Sequence, residues 1–260
     1  MSSDTARGSA LSARGGWMAP WLARTVRRLL TAAGLELTRA TVHNSPRRRL
    51  AKLLEHHRIG LVLDVGSNEG QYGEELRELG YEGRIVSFEP MERAHRMLRA
   101  RAQRDAAWSV APRAAIGEAQ RTAQLNIAAN SASSSVLEML PLHLQAAPGT
   151  GYVSTESVPM LPLDVAADPY LRDEAANVLL KIDVQGYELQ VLQGAAATLG
   201  RIQGIEVELS LAPLYRGQIL WLEMIERLQR DGFVCQGIEP MFADPATGRL
   251  LQADGIFFRA

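Results

Sequence analysis

Residues 61–70 read Leu-Val-Leu-Asp-Val-Gly-Ser-Asn-Glu-Gly. Five residues of a buried strand deliver a carboxylate, Asp64, and a glycine-rich turn follows before a helical pattern begins. Gly66 permits a sharp turn and lets a ligand approach the backbone closely, because it has no Cβ. In doubly wound sheets, ligands bind at the carboxyl ends of the strands. This stretch therefore predicts an α/β fold with a binding site at the end of its first strand.

Short apolar segments alternate with helical patterns along the chain, which is typical of βαβ units around a mostly parallel sheet. The pattern predicts strands at 61–65, 84–88, 108–111, 177–182 and 204–209, with a closing hairpin of 233–238 and 255–258. It predicts helices at 49–57, 71–79, 92–104, 187–199 and 218–231. Residues 117–160 are less regular, and we expect short strands near 120–127 and a long loop there.

The composition excludes several classes of protein. Apolar residues make up 47% and charged residues 22% of the 260, which excludes a disordered chain. No apolar run is long enough to span a bilayer. The single cysteine, Cys235, excludes a disulfide framework and a multi-cysteine zinc site, and it is typical of a reducing compartment. We therefore expect a cytoplasmic protein.

The net charge of −1 conceals two unlike parts. Residues 1–50 hold nine arginines against Asp4 and Glu36, a balance of +7, whereas the remainder has a balance of −8. We predict a disordered tail at 1–16, a basic amphipathic helical extension at 17–48 and the main domain at 49–260. The helix at 17–33 either packs on the main domain or lies on the inner face of an anionic membrane.

Other interpretations of this basic N-terminal segment are less favoured. A signal peptide is disfavoured because the apolar run is short and no cleavage site is convincing. Arginine outnumbers lysine by 26 to 2, which reflects genome composition better than recognition chemistry. We therefore expect no nucleic-acid partner.

The ends of the first two strands favour a cationic nucleoside cofactor. A dinucleotide site would show G-x-G-x-x-G, whereas this chain has only Gly66 and Gly70 at this turn. S-adenosylmethionine carries an ammonium and a sulfonium and no phosphate, and Asp64 suits such charges. Glu89 ends the second strand, where a carboxylate accepts the hydroxyls of a ribose. The pattern argues against a nicotinamide-dependent oxidoreductase.

A third acid, Asp183, ends the strand that contains Lys181. A charge inside an apolar run needs a partner, and we expect Lys181 to pair with a nearby acid such as Glu208. Asp183 and Glu188 are candidates for a general base, a metal site or a helix cap.

Nine segments in order resemble the FkbM family of S-adenosylmethionine-dependent methyltransferases, from about residue 50 to the end. They are 64–70, 87–90, 115–117, 133–135, 163–164, 180–188, 191–195, 206–209 and 248–257. The resemblance implies a Rossmann-like class I methyltransferase sheet with an antiparallel last strand. It also implies methyl transfer from S-adenosylmethionine to a hydroxyl, often of a sugar or a polyketide.

The resemblance assigns roles residue by residue. Asp64, Gly66, Asn68 and Gly70 would hold the methionine part, Glu89 the ribose, and Ala114 and Ala115 would lie near the adenine. Ser67, Pro90 and Asp183 belong to the same cofactor site. The family more often has Ala at the position of Ser67 and Glu at that of Gln185. The second change removes a carboxylate, so we assign no metal and predict no magnesium, while Asp183 and Glu208 stay open as ligands.

For catalysis, a neutral hydroxyl is a weak nucleophile and needs a base. Asp183 is our first candidate and His143, in the irregular segment where a substrate lid would lie, is our second. Asn130, Ser133, Ser134, Ser135 and Glu208 are candidates for binding a glycan or other small-molecule acceptor, although turn chemistry also explains the serines. N-methyl transfer and a non-catalytic cofactor-binding scaffold stay as alternatives. The acceptor and the oligomeric state are open.

Overall fold

A computed structural model describes residues 20–35, 40–172 and 176–260 of this chain. The chain divides into two compact units, Met1–Asn44 and Ser45–Ala260. In the first unit, helix α1 runs over Pro20–Ala32, which confirms the predicted helix over those residues. Leu29 and Leu35 are exposed there. The predicted tail at 1–16 and the first residues of the predicted helix lie outside the described part of the chain.

The second unit contains ten strands and seven further helices in its described part. The strands are β1 Ile59–Val65, β2 Arg84–Phe88, β3 Trp108–Val110, β4 Ala115–Ile116, β5 Arg121–Ala128, β6 Tyr152–Leu161, β7 Asn177–Ile182, β8 Ile202–Ser210, β9 Phe233–Ala243 and β10 Leu250–Arg259. The helices are α2 Pro46–His56, α3 Gln71–Glu78, α4 Glu92–Ala102, α5 Pro141–Ala146, α6 Leu163–Ala166, α7 Glu188–Gln193 and α8 Trp221–Arg230. Within the described residues, every helix is too short or too polar to cross a membrane.

Seven strands form the central sheet in the order β3-β2-β1-β7-β8-β10-β9. All neighbouring pairs are parallel except those of β10, which runs antiparallel to both β8 and β9. This order confirms the predicted Rossmann-like class I methyltransferase fold with its closing hairpin. The chain leaves β1 toward β2 and returns on the other side at β7, so the ends of β1 and β7 flank a topological switch point.

Buried apolar side chains from both faces of the sheet form the core. β1 and β7 are almost wholly buried, as their continuous apolar sequences require when helices cover both faces. Gly204 of β8 faces the ring of Phe258, which a Cβ at this position would overlap. The packed core leaves the carboxyl ends of β1, β2 and β7 as a rigid platform for the site.

The segment 117–160 is more ordered than its sequence predicts. β5 and β6 pair in antiparallel fashion, β4 pairs with β6 in parallel fashion, and α5 lies between β5 and β6 in the chain. β6 is rich in Ser, Thr and Glu and mostly exposed, so it lacks the apolar alternation by which a strand is recognised. The predicted long loop is therefore confined to the residues between β5 and α5.

The helix predicted over 187–199 is shorter than expected. α7 ends at Gln193, and a 3₁₀ turn follows at Thr198–Arg201. Gly194 lies against the carbonyl oxygen of Gly117, which a Cβ at this position would overlap. A close approach to the neighbouring sheet thus replaces the continued helix.

Candidate functional site

A cleft at the carboxyl ends of β1, β2 and β7 brings together nine of the residues predicted for the site. This first cleft is lined by Gly66, Asn68, Glu89, Pro90, Ala114, Ala115, Ser134, Ser135 and Asp183, together with apolar side chains such as Phe88, Ile116 and Leu125. These nine residues, which come from five separate parts of the chain, therefore meet at one edge of the sheet.

The turn after β1 depends on Gly66. Its φ angle is +85°, and a Cβ at this position would overlap the backbone carbonyl of Asp183. The backbone N–H groups of Gly66 and Ser67 donate to the carbonyl oxygen of Phe88, at 3.0 and 3.2 Å. The end of β1 is thus bound to β2 on one side and is in contact with β7 on the other.

We expect Gly66→Ala to destabilise the protein far more than Gly80→Ala. Both glycines have φ near +84°, but nothing lies within 4 Å of a Cβ at Gly80. Gly80→Ala should therefore lose only about 1–2 kcal/mol of unfolding free energy from backbone strain. Urea denaturation of the two variants separates strain from overlap. Equal losses would show that the contact with Asp183 is unimportant.

Glu89 presents a buried carboxylate at the first cleft. Its Oε2 accepts a hydrogen bond from the backbone N–H of Asn68 and its Oε1 from that of Met91, both at 2.8 Å. Burial raises the pKa of Glu89 to about 7, although these two hydrogen bonds oppose the shift. The carboxylate is held rigidly, and it retains lone pairs for a ligand in the cleft.

Lys181 links the ends of β1 and β7 electrostatically. Its Nζ lies 3.2 Å from Oδ2 of Asp183 and 4.0 Å from Oδ1 of Asp64. Although burial alone would lower it, these carboxylates raise the pKa of Lys181. The expected pairing of Lys181 with a nearby acid is confirmed, but its partners are Asp183 and Asp64 and not Glu208, because the register places Glu206 beside Lys181.

Asp64 is completely buried beneath the turn and lines neither this cleft nor the one described below. Its Oδ2 accepts a hydrogen bond from the hydroxyl of Ser87 at 3.1 Å. Burial raises the pKa of Asp64, and Lys181 opposes the shift. In this geometry, Asp64 influences the cleft through Lys181 rather than by touching its contents.

The Gln185 side chain occupies the space between the two acids considered as metal ligands. Its Nε2 donates to Oδ1 of Asp183 at 2.9 Å and to Oε1 of Glu208 at 3.0 Å. An amide N–H group bridges carboxylates without a cation, whereas a glutamate here would add a third negative charge. Among the described residues, no three His, Cys, Asp or Glu side chains gather in an arrangement that could hold a metal ion.

His143, our second candidate for the base, is buried and lines neither cleft. Its Nδ1 lies 3.2 Å from the hydroxyl of Thr150 and its Nε2 lies 3.3 Å from that of Tyr215. Burial lowers the pKa of His143. The predicted position of His143 in a substrate lid is wrong, because the packed helix α5 carries this histidine inward. No pattern in the sequence indicates this helix.

Tyr215 was not predicted as a site residue. Its buried hydroxyl lies 2.7 Å from Oε1 of Gln185, to which it donates, and thereby turns the amide nitrogen toward Asp183 and Glu208. Tyr215 follows the irregular segment after β8, where no motif marks it. Only the fold brings it to Gln185.

The serine cluster mainly shapes the wall of the first cleft. The hydroxyl of Ser135 donates to the carbonyl of Gln185 at 2.7 Å, and that of Ser134 accepts from the backbone N–H of Ala128 at 3.0 Å. Asn130 and Ser133 bond each other and line neither cleft. Turn chemistry therefore accounts for most of these polar groups.

Three other predicted residues have structural roles. Gly70, at the start of α3, is close to Leu98 and Trp108, and it lines neither cleft. The Ser67 hydroxyl donates to the carbonyl of Asp64 at 2.7 Å. Glu188 is buried and accepts hydrogen bonds from the backbone of the turn before α7, as a cap does.

The first cleft fits a nucleoside with a cationic tail. It combines apolar walls, a rigid carboxylate at Glu89 and a second carboxylate at Asp183. Groups such as these bind an adenine, a ribose and a positive charge, respectively.

Comparison with known proteins gives the family. Residues 64–235 match the FkbM methyltransferase domain. No curated protein matches the chain. An rRNA methylase from Streptococcus thermophilus is similar in structure at 10% identity and a TM-score of 0.46, over 85% of this chain and 99% of that one. A 1,6-didemethyltoxoflavin-N1-methyltransferase from Burkholderia thailandensis is also similar in structure, at 13% identity and a TM-score of 0.41, over 98% of this chain and 100% of that one.

Proposed function

Since the chain belongs to the FkbM methyltransferase family, it is an S-adenosylmethionine-dependent methyltransferase, and we propose that it methylates a hydroxyl of a sugar or of a glycosylated acceptor. The acceptor would be a glycolipid, a polysaccharide or a glycosylated natural product. The single observation that carries this proposal is the position of Asp183, whose carboxylate lies where the first cleft meets a second one.

The cofactor would bind in the first cleft. Glu89 would accept hydrogen bonds from the ribose hydroxyls, while Ala114 and Ala115 would lie beside the adenine. Gly66 and Asn68 would border the methionine part. Asp183, with Asp64 behind Lys181, would provide negative charge near its cationic groups.

When bound, S-adenosylmethionine would supply a methyl carbon open to in-line attack by the acceptor oxygen, with the thioether sulfur of S-adenosylhomocysteine as the leaving group. The contribution of the protein is to orient the acceptor behind that carbon and to take its proton. Asp183 would accept the hydroxyl proton. Lys181 and Gln185 fix its two oxygens, and a carboxylate has about four acceptor positions, so two stay available for the acceptor.

Two observations favour oxygen over nitrogen as the acceptor atom. The chain lacks the Asn/Asp-Pro-Pro-aromatic motif familiar from enzymes that methylate amino groups. A carboxylate that accepts a proton also suits a hydroxyl, which must lose one during transfer. N-methyl transfer would instead leave the serines and Asp183 with a binding role only.

Deletion of the gene in its host tests the proposed acceptor class. We expect the mutant to lose O-methyl groups from one glycolipid, polysaccharide or glycosylated product, as detected by mass spectrometry of hydrolysed sugars. Complementation with the wild-type gene should restore them, whereas the Asp183→Asn gene should not. Loss of a methylated amine with all sugar ethers intact would contradict the proposal.

We further propose that the arginine-rich N-terminal segment, residues 1–44, brings the enzyme to the inner face of an anionic membrane. Removal of residues 1–44 should lower co-sedimentation with phosphatidylglycerol vesicles and leave binding to phosphatidylcholine vesicles unchanged, because the arm carries an excess of arginines. Methylation of a soluble acceptor should persist. An unchanged affinity for the anionic vesicles would contradict the proposal, and an unfolded product would show that the arm is a packed helix.

A further inference from the structure

A second cleft adjoins the first and shares Gly66, Asn68, Ala132 and Asp183 with it. Its other walls come from α2, α3, β7, β8, β9 and β10. The shared residues include the carboxylate that would face the reacting atoms in the proposed function. A group in the second cleft could therefore approach Asp183.

The second cleft contains more acids than cations, but most of its acids are paired. Its acids are Glu75, Asp183, Glu206, Glu239 and Asp254. Three form ion pairs: Asp183 with Lys181, Glu75 with Arg47, and Glu239 with Arg49. Within the described residues, the carboxyl groups of Glu206 and Asp254 form no ion pair.

These two groups differ in their contacts. Glu206 accepts a hydrogen bond from the hydroxyl of Tyr72 at 2.5 Å. No donor within the described part of the chain forms a hydrogen bond with the Asp254 carboxylate, although this side chain is half-buried and lines the cleft. A half-buried carboxylate without a donor is costly to desolvate, and a bound ligand with hydroxyl groups would satisfy it.

The pKa values of both carboxyl groups are raised toward neutral pH. Burial and the nearby Asp254 together raise the pKa of Glu206 to about 7, although the hydrogen bond from Tyr72 opposes the shift. Burial also raises the pKa of Asp254 to about 6, with a contribution from Asp183 that Lys181 opposes. Near pH 7, the two groups together hold part of a proton and can both donate and accept hydrogen bonds.

From this geometry we infer that the second cleft binds the acceptor as an uncharged polyhydroxyl group, and that Asp254 and Glu206 recognise its hydroxyls. The inference rests on the proposed function. A sugar hydroxyl both donates and accepts, which matches this pair. An acceptor that carries a carboxylate or a phosphate would be repelled, and an ammonium group would offer donors only.

The test uses the full-length protein saturated with S-adenosylhomocysteine and measures ligand binding by saturation-transfer NMR. The probes are methyl glycosides of neutral hexoses, the corresponding uronates and the corresponding 2-amino sugars. We expect a neutral glycoside to bind more tightly than its charged counterparts. Asp254→Asn should weaken that binding about tenfold, the loss of one hydrogen bond to a charged group.

Two controls accompany this variant. Asp168→Asn, on an exposed turn, should leave binding of the glycoside unchanged. Affinity for S-adenosylhomocysteine, measured by calorimetry, should stay within about twofold of wild type, which also shows that the variant is folded. If Asp254→Asn does not fold, Glu206→Gln replaces it with the same expectation.

The inference is overturned if no neutral glycoside binds, if a uronate or a 2-amino sugar binds more tightly, or if the variant binds as wild type does. Failure of the proposed function has a different signature: the methyl group would appear on nitrogen in the product, or S-adenosylhomocysteine would not bind at all. If the methyl group appears on nitrogen, the glycoside can still bind to the second cleft, because the NMR measurement involves no turnover.

Discussion

Glu89→Ala should lose most of its affinity for S-adenosylmethionine. The change removes an acceptor for ribose hydroxyls and leaves the buried N–H groups of Asn68 and Met91 without a partner. Hydrogen bonds to a charged group contribute about 1.5–3 kcal/mol each, so we expect the Kd to rise roughly 100-fold. Calorimetry measures it, with the exposed Glu92→Gln as a control. An unchanged Kd would remove Glu89 from the ribose site.

The pH dependence of binding tests the same residue more selectively. Because burial raises the pKa of Glu89 to about 7, its carboxylate is mostly protonated at pH 6 and mostly ionised at pH 8. Ribose hydroxyls prefer the ionised form, so affinity should rise about tenfold over this interval. 5′-Methylthioadenosine is the suitable probe, since it lacks the titrating amino group of the cofactor. Glu89→Gln should abolish the dependence, and a dependence that persists there would assign it to another group.

Asp183→Asn should lower turnover with little effect on cofactor binding. Asparagine preserves the shape of the side chain but cannot accept the hydroxyl proton. Loss of a general base costs about 10²–10⁴-fold in rate. We expect kcat to fall by that amount, while the Kd for S-adenosylmethionine stays within about tenfold, because one charge near its ammonium and sulfonium is removed.

Two comparisons make this result interpretable. Asp168→Asn, an exposed aspartate on a 3₁₀ turn, should retain wild-type turnover. Calorimetry on the same sample should still detect binding of S-adenosylmethionine, which shows that Asp183→Asn is folded. Wild-type turnover in Asp183→Asn would exclude the base role.

The parts of the site that the sequence predicts well are those built on strand ends. Asp64, Glu89 and Asp183 each follow an apolar run, and parallel strands bring their carboxyl ends to one edge of the sheet. That rule places Glu89 and Asp183 at one cleft from sequence alone. It does not say which side chains face the cleft, and Asp64 is buried below it.

The contacts that depend on long-range packing could not be predicted. Tyr215 orients Gln185 across 30 positions of the chain, and no motif surrounds it. Lys181 pairs with Asp64 across adjacent strands, a consequence of register rather than of spacing. The sequence predicts a lid position for His143, but His143 and Ala146 form the buried side of α5. Pattern and propensity determine elements, whereas register and docking determine these partners.

Transfer of a labelled methyl group shows directly whether the enzyme methylates a sugar hydroxyl. The full-length protein would be incubated with S-adenosylmethionine that carries a trideuterated methyl group and with envelope glycolipids and polysaccharides from the deletion strain. We expect a trideuteromethyl ether on a sugar oxygen, located by mass spectrometry, and none with Asp183→Asn. A label on nitrogen, or no label in any glycosylated product that the wild-type host methylates, would contradict it.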